Sequence, residues 1–102
     1  MHKNILKIDE DLADIIPGYM ENRTKELKMI SVLIGKKDFD SLRIIGHKLK
    51  GSGSGYGIDF FTDLGAKMEE AALKKDADLI EVLRKEYTDF MASVEIIYET
   101  ID

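Results

Sequence analysis

Apolar residues recur at helical spacing along most of this chain, and the strongest pattern lies towards its C-terminus. Seven apolar positions there alternate steps of three and four residues, which predicts one long helix over about residues 77–100. These positions are Ile80, Leu83, Tyr87, Phe90, Val94, Ile97 and Ile101. The segment before it, about residues 58–74, has the same spacing at Phe61, Leu64, Met68 and Ala71, and it predicts another helix.

The N-terminal third of the chain predicts one short and one longer helix. Asp9 is a candidate N-cap for a short helix that reaches about residue 15, after a short lead over residues 1–8. Pro17 disfavours helix at the residue before it but suits a first helical turn, so a second helix is predicted over about 17–34. Its buried stripe is Met20, Leu27, Ile30 and Ile34, and Gly35 is predicted to end it.

The central helix is predicted from Asp38, which is its candidate cap. This helix runs through His47 into a glycine-rich run, and Gly55 and Gly57 are predicted to end it. A second break, at residues 74–76, repeats the Lys-Lys-Asp sequence that precedes the central helix, with Asp76 as the next cap.

Short links between long amphipathic helices predict antiparallel neighbours. We therefore expect an all-α fold, namely an antiparallel four-helix bundle with a short accessory N-terminal helix, in a single domain over residues 1–102. The last helix could alternatively form a coiled-coil dimer seam. Packing within one chain is the simpler interpretation for a sequence with several amphipathic helices, and it predicts a monomer.

Composition narrows the classes of function. The chain has no cysteine, which excludes disulfides, thiolate metal sites and cysteine nucleophiles. It has no run of eighteen apolar residues and no apolar signal core near its start, so we expect a cytoplasmic protein that does not enter a membrane. The net charge of −5 argues against nucleic acid as the main partner, because phosphate backbones require a basic surface.

His47 is the candidate reactive residue. On a helix, Leu42, Ile45 and Leu49 share the side opposite His47, so the imidazole is predicted to face solvent. A neutral imidazole is a nucleophile when its approach is open and its second nitrogen is held in one tautomer.

Positive charge surrounds His47 in the sequence. Lys50 and Arg43, from adjacent turns, and Lys48, on the flank, could support an incoming phosphoryl group. Ile44 would be an exposed apolar residue beside the site, which indicates docking of a partner protein rather than a small-molecule pocket.

The glycine-rich run after His47 has several possible roles. It lacks the spacing and the preceding strand of a dinucleotide fingerprint, and no Gly-Lys-Ser/Thr sequence makes it a P-loop. Gly51 lies one turn beyond His47, so its missing side chain would leave space beside the imidazole. Ser52 or Ser54 could be imagined in a hydrolase triad, but neither lies in a nucleophile elbow, and no second helical metal ligand accompanies His47. From these residues alone, an ordinary exposed histidine with no reaction of its own is as good an interpretation of His47 as a reactive one.

The segment His47-Lys48-Leu49-Lys50-Gly51-Ser52 resembles the signature of histidine phosphotransfer (HPt) domains. Gly57 follows at the expected distance, and Leu64 with Met68-Glu69-Glu70-Ala71 resembles the end of the next helix of that family. The detailed similarity spans about residues 38–72. Gly53 and Tyr56 depart from the family pattern, and Gly53 is expected to loosen the end of the helix.

The resemblance implies a phosphocarrier in a two-component phosphorelay and not an autonomous enzyme. His47 would accept a phosphoryl group at Nε2 from a receiver aspartate or a histidine kinase and pass it to another receiver. Lys50 would screen phosphate charge, Gly51 would leave room for it, and Glu69 would hold Nδ1–H. Receiver domains and a histidine kinase are the implied partners; the chain needs no cofactor or metal of its own, since Mg²⁺ would reside on the partner.

Ile44 and Phe60 are the implied docking residues, and Leu12 and Ile15 are further candidates. Two alternatives stay open. The chain could be the phosphoacceptor domain of a chemotaxis-like kinase, phosphorylated by the ATP-binding domain of that kinase. It could also be a helical adaptor that keeps the fold without being phosphorylated.

Overall fold

The computed structural model describes residues 3–100 and is mostly helical in that range. Its four α-helices are α1 (Ile16–Lys36), α2 (Phe39–Gly55), α3 (Asp59–Leu73) and α4 (Ala77–Ser93). Two strands, β1 (Asn4–Asp9) and β2 (Val94–Glu99), lie before and after the helices, and a 3-10 turn, Glu10–Leu12, follows β1. No helix in this range has the length and apolar character needed to cross a bilayer.

The helices pack as a ring in which α1 contacts α2 and α4, and α3 contacts the same two helices. Most of the predicted core is confirmed. The predicted apolar positions of α2 and α3, and those of α4 up to Phe90, are buried. In α1, Ile30 is buried, whereas Met20, Leu27 and Ile34 are only half-buried. Ile16 and Tyr19 are also buried in α1, outside the stripe predicted for that helix.

Two connections of the same sequence, Lys-Lys-Asp, end α1 and α3 in the same way. Lys37 and Lys75 both adopt a left-handed conformation with φ of 55°. Asp38 Oδ1 then accepts from the Ser41 amide at 3.1 Å, and Asp76 Oδ1 accepts from the Leu79 amide at 3.1 Å. Both predicted caps are thus confirmed, although α1 continues past Gly35 and turns at a lysine.

The prediction of one helix over 77–100 is wrong in its last part, because α4 ends at Ser93. The next residues form β2, which pairs in parallel with β1 in a register that begins at Asn4↔Val94. Val94, Ile96 and Ile97 are β-branched and favour a strand when a partner strand is available. Ile97 is consequently 43% exposed rather than buried, and Ile101 lies outside the described residues.

The short N-terminal helix predicted over about 9–15 is also not found as such. β1 takes the place of the predicted lead and continues to Asp9. Asp9 does cap the following turn, since its carboxylate accepts from the Asp11 amide at 3.0 Å, but that turn is a 3-10 helix of three residues. Among the apolar residues of the predicted lead, Ile8 faces the core and is buried.

Candidate functional site

The candidate site lies where the backbones of α2 and α3 approach closely. A Cβ atom added to Gly46 would stand 2.6 Å from the Glu69 amide nitrogen and 2.9 Å from the Gly65 carbonyl. One added to Gly65 would stand 2.6 Å from the Gly46 carbonyl and would clash with the Lys50 amide nitrogen. Only glycine at both positions allows this approach, and it places Glu69 of α3 beside His47 of α2.

His47 is held at one nitrogen and exposed at the rest of its ring. Its Nδ1 lies 2.7 Å from Glu69 Oε2, while 71% of the His47 side chain is exposed. A carboxylate can only accept a hydrogen bond, so Nδ1 is the donor, and in the neutral form of the ring Nε2 keeps its lone pair. Within residues 3–100, Nε2 has no hydrogen-bond partner. The arrangement presents an oriented nucleophilic nitrogen to solvent.

Glu69 is the best-shielded member of this group. Its side chain is only 20% exposed, and its second oxygen, Oε1, lies 3.7 Å from Lys50 Nζ. One carboxylate therefore orients the imidazole and also holds an ammonium group one turn away from it. Lys50 itself remains half-exposed, so its charge is available to an anion bound at His47.

Gly51 leaves the space that its position predicts, since an added Cβ would have no atom within 4 Å. Gly53 behaves differently. It is buried, and an added Cβ would stand 2.5 Å from the Thr62 amide nitrogen and 3.0 Å from the Ile58 carbonyl. This glycine permits a second close contact between α2 and the start of α3. That Gly53 loosens the helix end stays a prediction.

The other predicted cations are not brought to the His47–Glu69 pair by any contact in the described part of the chain. Burial raises the pKa of the Glu26 carboxyl on α1, and Lys48 lies close enough for its charge to oppose part of that rise. Arg43 is half-buried on α2. A role for Arg43 and Lys48 in supporting a phosphoryl group stays a prediction.

The predicted docking residues divide into two groups. Ile44 lies one turn before His47 on α2 and is 45% exposed, and Ile15 is exposed at the start of α1. Phe60 is half-buried in the first turn of α3, where its ring stacks on Phe90 at a centroid distance of 3.9 Å. Leu12 is half-buried against the core. Ile44 is thus the apolar residue best placed beside the imidazole.

Polar contacts join α1 to α2 and to α4, and they were not predicted from the sequence. Tyr19 Oη lies 2.8 Å from Ser52 Oγ, so the last residue of the HPt-like signature is tied to α1. Tyr87 of α4 is buried and donates to Glu26 Oε1 at 2.9 Å. Burial raises the pKa of Glu26 in spite of the opposing influence of Arg23, Tyr87 and Lys48. Burial likewise raises the pKa of Tyr87.

Within residues 3–100, no group of three or more acidic, histidine or cysteine side chains is arranged to hold a metal ion. Comparison of this chain with protein-family models, with curated proteins and with solved structures finds no match.

Proposed function

We propose that this chain is a histidine phosphotransfer protein of a two-component phosphorelay, with His47 as the phosphoacceptor. The observation that carries the proposal is the His47–Glu69 hydrogen bond, which fixes Nδ1 as the donor and leaves Nε2 unbonded and exposed. An ordinary surface histidine has no need of a shielded carboxylate on a neighbouring helix. The paired glycines Gly46 and Gly65, which bring that carboxylate into reach, support the same interpretation.

In the proposed reaction, the Nε2 lone pair attacks the phosphorus of a receiver aspartyl phosphate. The Nε2–P bond forms as the bond between phosphorus and the aspartate oxygen breaks, and the aspartate carboxylate leaves with the electron pair. The imidazole ring gains positive charge, which Glu69 stabilises through Nδ1–H. The Lys50 ammonium group offsets the negative charge of the phosphoryl oxygens, and the space at Gly51 accommodates these oxygens. The reverse steps deliver the group to another receiver.

The chain's part in this chemistry is that of a carrier, with the partner supplying Mg²⁺ and the remaining catalytic groups. We propose receiver domains and a histidine kinase as the partners, with Ile44 in the docking surface and Phe60 at its edge. Short links of two or three residues between the helices favour an antiparallel arrangement of the bundle. The net charge of −5 favours protein partners over nucleic acid, and a cytoplasmic location accompanies such a pathway.

The test is incubation with several phosphorylated receiver domains and Mg²⁺, followed by measurement of acid-labile, base-stable label on this chain. We expect label on the wild type and none on His47→Gln, with the helical circular dichroism unchanged because the side chain faces solvent. Glu69→Ala should accept phosphate more slowly, since Nδ1 loses its carboxylate. Glu70→Ala is the matched control, because Glu70 lies next to Glu69 and pairs instead with Lys74 at 3.0 Å.

The same experiment separates the two alternatives. Label from an ATP-loaded kinase domain, with none from any receiver, would favour a phosphoacceptor domain of a chemotaxis-like kinase. No label from either donor, with equal receiver binding by wild type and His47→Gln, would reject phosphotransfer and favour an adaptor.

A further inference from the structure

The helices of this chain divide by charge into two pairs. α1 carries four basic and two acidic residues and α2 carries three and one, so each of these helices has a net charge of +2. α3 carries one basic and four acidic residues and α4 carries two and four, so their net charges are −3 and −2. Because α1 packs against α2, and α3 packs against α4, the bundle has a basic half and an acidic half.

The two flanks of α2 at His47 differ in the same way. On the α3 flank, Glu69 bonds to the imidazole, and Glu70 follows it as an exposed carboxylate. On the α1 flank, Lys48 is exposed and lies close enough to Glu26 to oppose the rise in the pKa of that carboxyl, which places the ammonium group on the side of α1. His47 thus has carboxylates of α3 on one flank and a lysine directed at α1 on the other.

Exposed apolar residues lie on the α1 flank. Ile44 stands one turn before Lys48 on α2, and Met29 stands one turn after Glu26 on α1. Residues one turn apart share a helix face, so both apolar residues lie on the side where Lys48 approaches Glu26. Ile44 is 45% exposed and Met29 is 57% exposed. Apolar area therefore accompanies the positive charge beside His47.

Two more residues of α1 extend this area. Val32, one turn after Met29, is 55% exposed, and Lys25, one turn before Met29, is exposed as well. Lys25 pairs with Glu21 at 3.8 Å, but an ion pair this exposed contributes little and leaves the lysine accessible. The residues that we call the α1–α2 surface are Lys25, Met29, Val32, Ile44 and Lys48.

We propose that the α1–α2 surface binds the partner that exchanges phosphate with His47, and that it selects a receiver whose facing surface has an apolar centre and acidic surroundings. This inference rests on the proposed function, which supplies the class of partner. A receiver that delivers the group carries it on an aspartate, so it approaches with negative charge. The basic half of the bundle attracts such a surface and the acidic half repels it, which turns the partner towards His47 and speeds association. The three apolar side chains then add buried area.

The proposal gives Lys48 a role other than phosphate support. Successive residues of a helix point about 100° apart, so Lys48, which is directed at α1, points to a different side from His47. Lys50 stands three residues after His47, on the face of the imidazole, and remains the lysine for the phosphoryl charge. Lys48 is thus placed to contact the partner rather than the phosphoryl group.

Phosphoryl transfer at varied ionic strength tests the charge of the surface. The donor is the phosphorylated receiver that labels the chain fastest in the phosphotransfer experiment, and its concentration is varied so that kcat and KM are measured separately. Raising the salt from about 0.01 M to 1 M shortens the Debye length from about 30 Å to 3 Å. Over this range, kcat/KM of the wild type should fall by about tenfold or more.

Reversal of one charge localises this effect. At low salt, Lys25→Glu should raise KM by about threefold or more and leave kcat unchanged, because it reverses a charge of the surface away from the imidazole. Lys85→Glu is the matched control, since Lys85 is an exposed lysine of α4 in the acidic half, and its KM should equal that of the wild type.

A second pair of variants tests the apolar part of the surface. Met29→Glu should raise KM by about tenfold, because it removes apolar area from the interface and sets a carboxylate against an acidic partner. Val82→Glu is the matched control: Val82 is 51% exposed on α4, outside the surface, and the variant should behave like the wild type. Glutamate favours a helix at both positions, and circular dichroism checks the fold of every variant.

A small donor separates this inference from the proposed function. With phosphoramidate, the Nε2–P bond forms as the P–N bond of the donor breaks, and ammonia leaves with the electron pair. This reaction needs no docked protein, so Lys25→Glu and Met29→Glu should take up its label at the wild-type rate. No label from phosphoramidate or from any receiver would reject the proposed function and this inference with it.

Three results would overturn the inference while His47 still takes label from phosphoramidate. The first is transfer from the receiver that does not depend on salt, or no transfer from any receiver. The second is an equal KM for either variant of the surface and its matched control on α4. The third is binding to phosphatidylglycerol vesicles that Met29→Glu abolishes while transfer from the receiver stays intact, which would assign the surface to a membrane.

Discussion

The α2–α3 pair and the β1–β2 pair are built in opposite ways. α2 and α3 are adjacent in the sequence, joined by three residues, and two facing glycines fix their distance. β1 and β2 come from opposite ends of the chain, and Asn4 Nδ2 of β1 donates to Ser93 Oγ, the last residue of α4 before β2, at 2.7 Å. The α2–α3 pair presents the His47 side chain in one fixed geometry. The β1–β2 pair instead leaves a strand edge open. The candidate site thus lies in the α2–α3 region.

The largest expected effect concerns the β1–β2 pair. Ile8 is 2% exposed, so Ile8→Ala should lower the free energy of unfolding by about 2–4 kcal/mol through lost burial and the cavity left behind. Ile5→Ala, on the exposed face of the same strand, should change it by less than about 0.5 kcal/mol. Urea denaturation measures both. If the two regions are independent, the His47 ring signals in NMR spectra should not move in Ile8→Ala; a shift would show that the strands support the site.

A smaller effect is expected at the glycine contact. Gly65→Ala forces α2 and α3 apart and should cost about 1–3 kcal/mol, as overpacking does in other cores. It should also lengthen the His47–Glu69 hydrogen bond, which a change in the Nδ1–H signal would report. Gly51→Ala is the control, because its Cβ meets open space and alanine favours a helix. Equal loss of stability in both variants would contradict the account of close backbone packing.

The polar contacts of α1 with α4 predict a pH effect. Folding raises the pKa of Glu26 above its ordinary value of 4.5, chiefly through burial, so protonation of Glu26 favours the folded state. That stabilisation is complete below the ordinary pKa and is lost as pH rises through the raised value. Wild type should therefore lose stability relative to Glu26→Gln as the pH rises above about 4.5, until Glu26 is ionised in the folded state as well. Parallel stability profiles for the two proteins would contradict this.

The smallest effect concerns the two connections on either side of the α2–α3 pair. Lys37 and Lys75 occupy a left-handed conformation that favours glycine. Lys37→Gly and Lys75→Gly should each raise the free energy of unfolding by about 0.5–1 kcal/mol, measured by urea denaturation. Lys36→Gly, inside the last turn of α1, is the control and should lower it. A loss of stability in Lys37→Gly would mean that the lysine side chain makes a contact of its own.

The sequence predicted the α2–α3 region well because its signals are local. Helical spacing identified Leu42, Ile45 and Leu49 as buried and therefore placed His47 at the surface. The HPt resemblance pointed to Glu69, whose contact with His47 the periodic pattern alone did not indicate. Gly46 and Gly65 were missed because a glycine inside a helix has no distinctive local signal, and its role depends on the partner helix.

The β1–β2 region could not be predicted in this way. The 3-4 spacing of Val94, Ile97 and Ile101 continues that of α4, and nothing between residues 77 and 100 indicates a stop at Ser93. The strand forms because β1 is present at the other end of the chain, and its β-branched residues suit a paired strand as well as a helix. A tertiary partner therefore overrides the local periodicity.

The pairing of β1 with β2 also bears on the order in which the chain folds. Asn4 and Val94 are partners in the register, so their contact closes a loop of about ninety residues, with an entropic cost of about 4 kcal/mol beyond a constant term. The helical hairpins close loops of a few residues and can form first. During synthesis, β1 stays without its partner until the last strand has left the ribosome. The candidate site can thus be assembled while the edge of the sheet is still unformed.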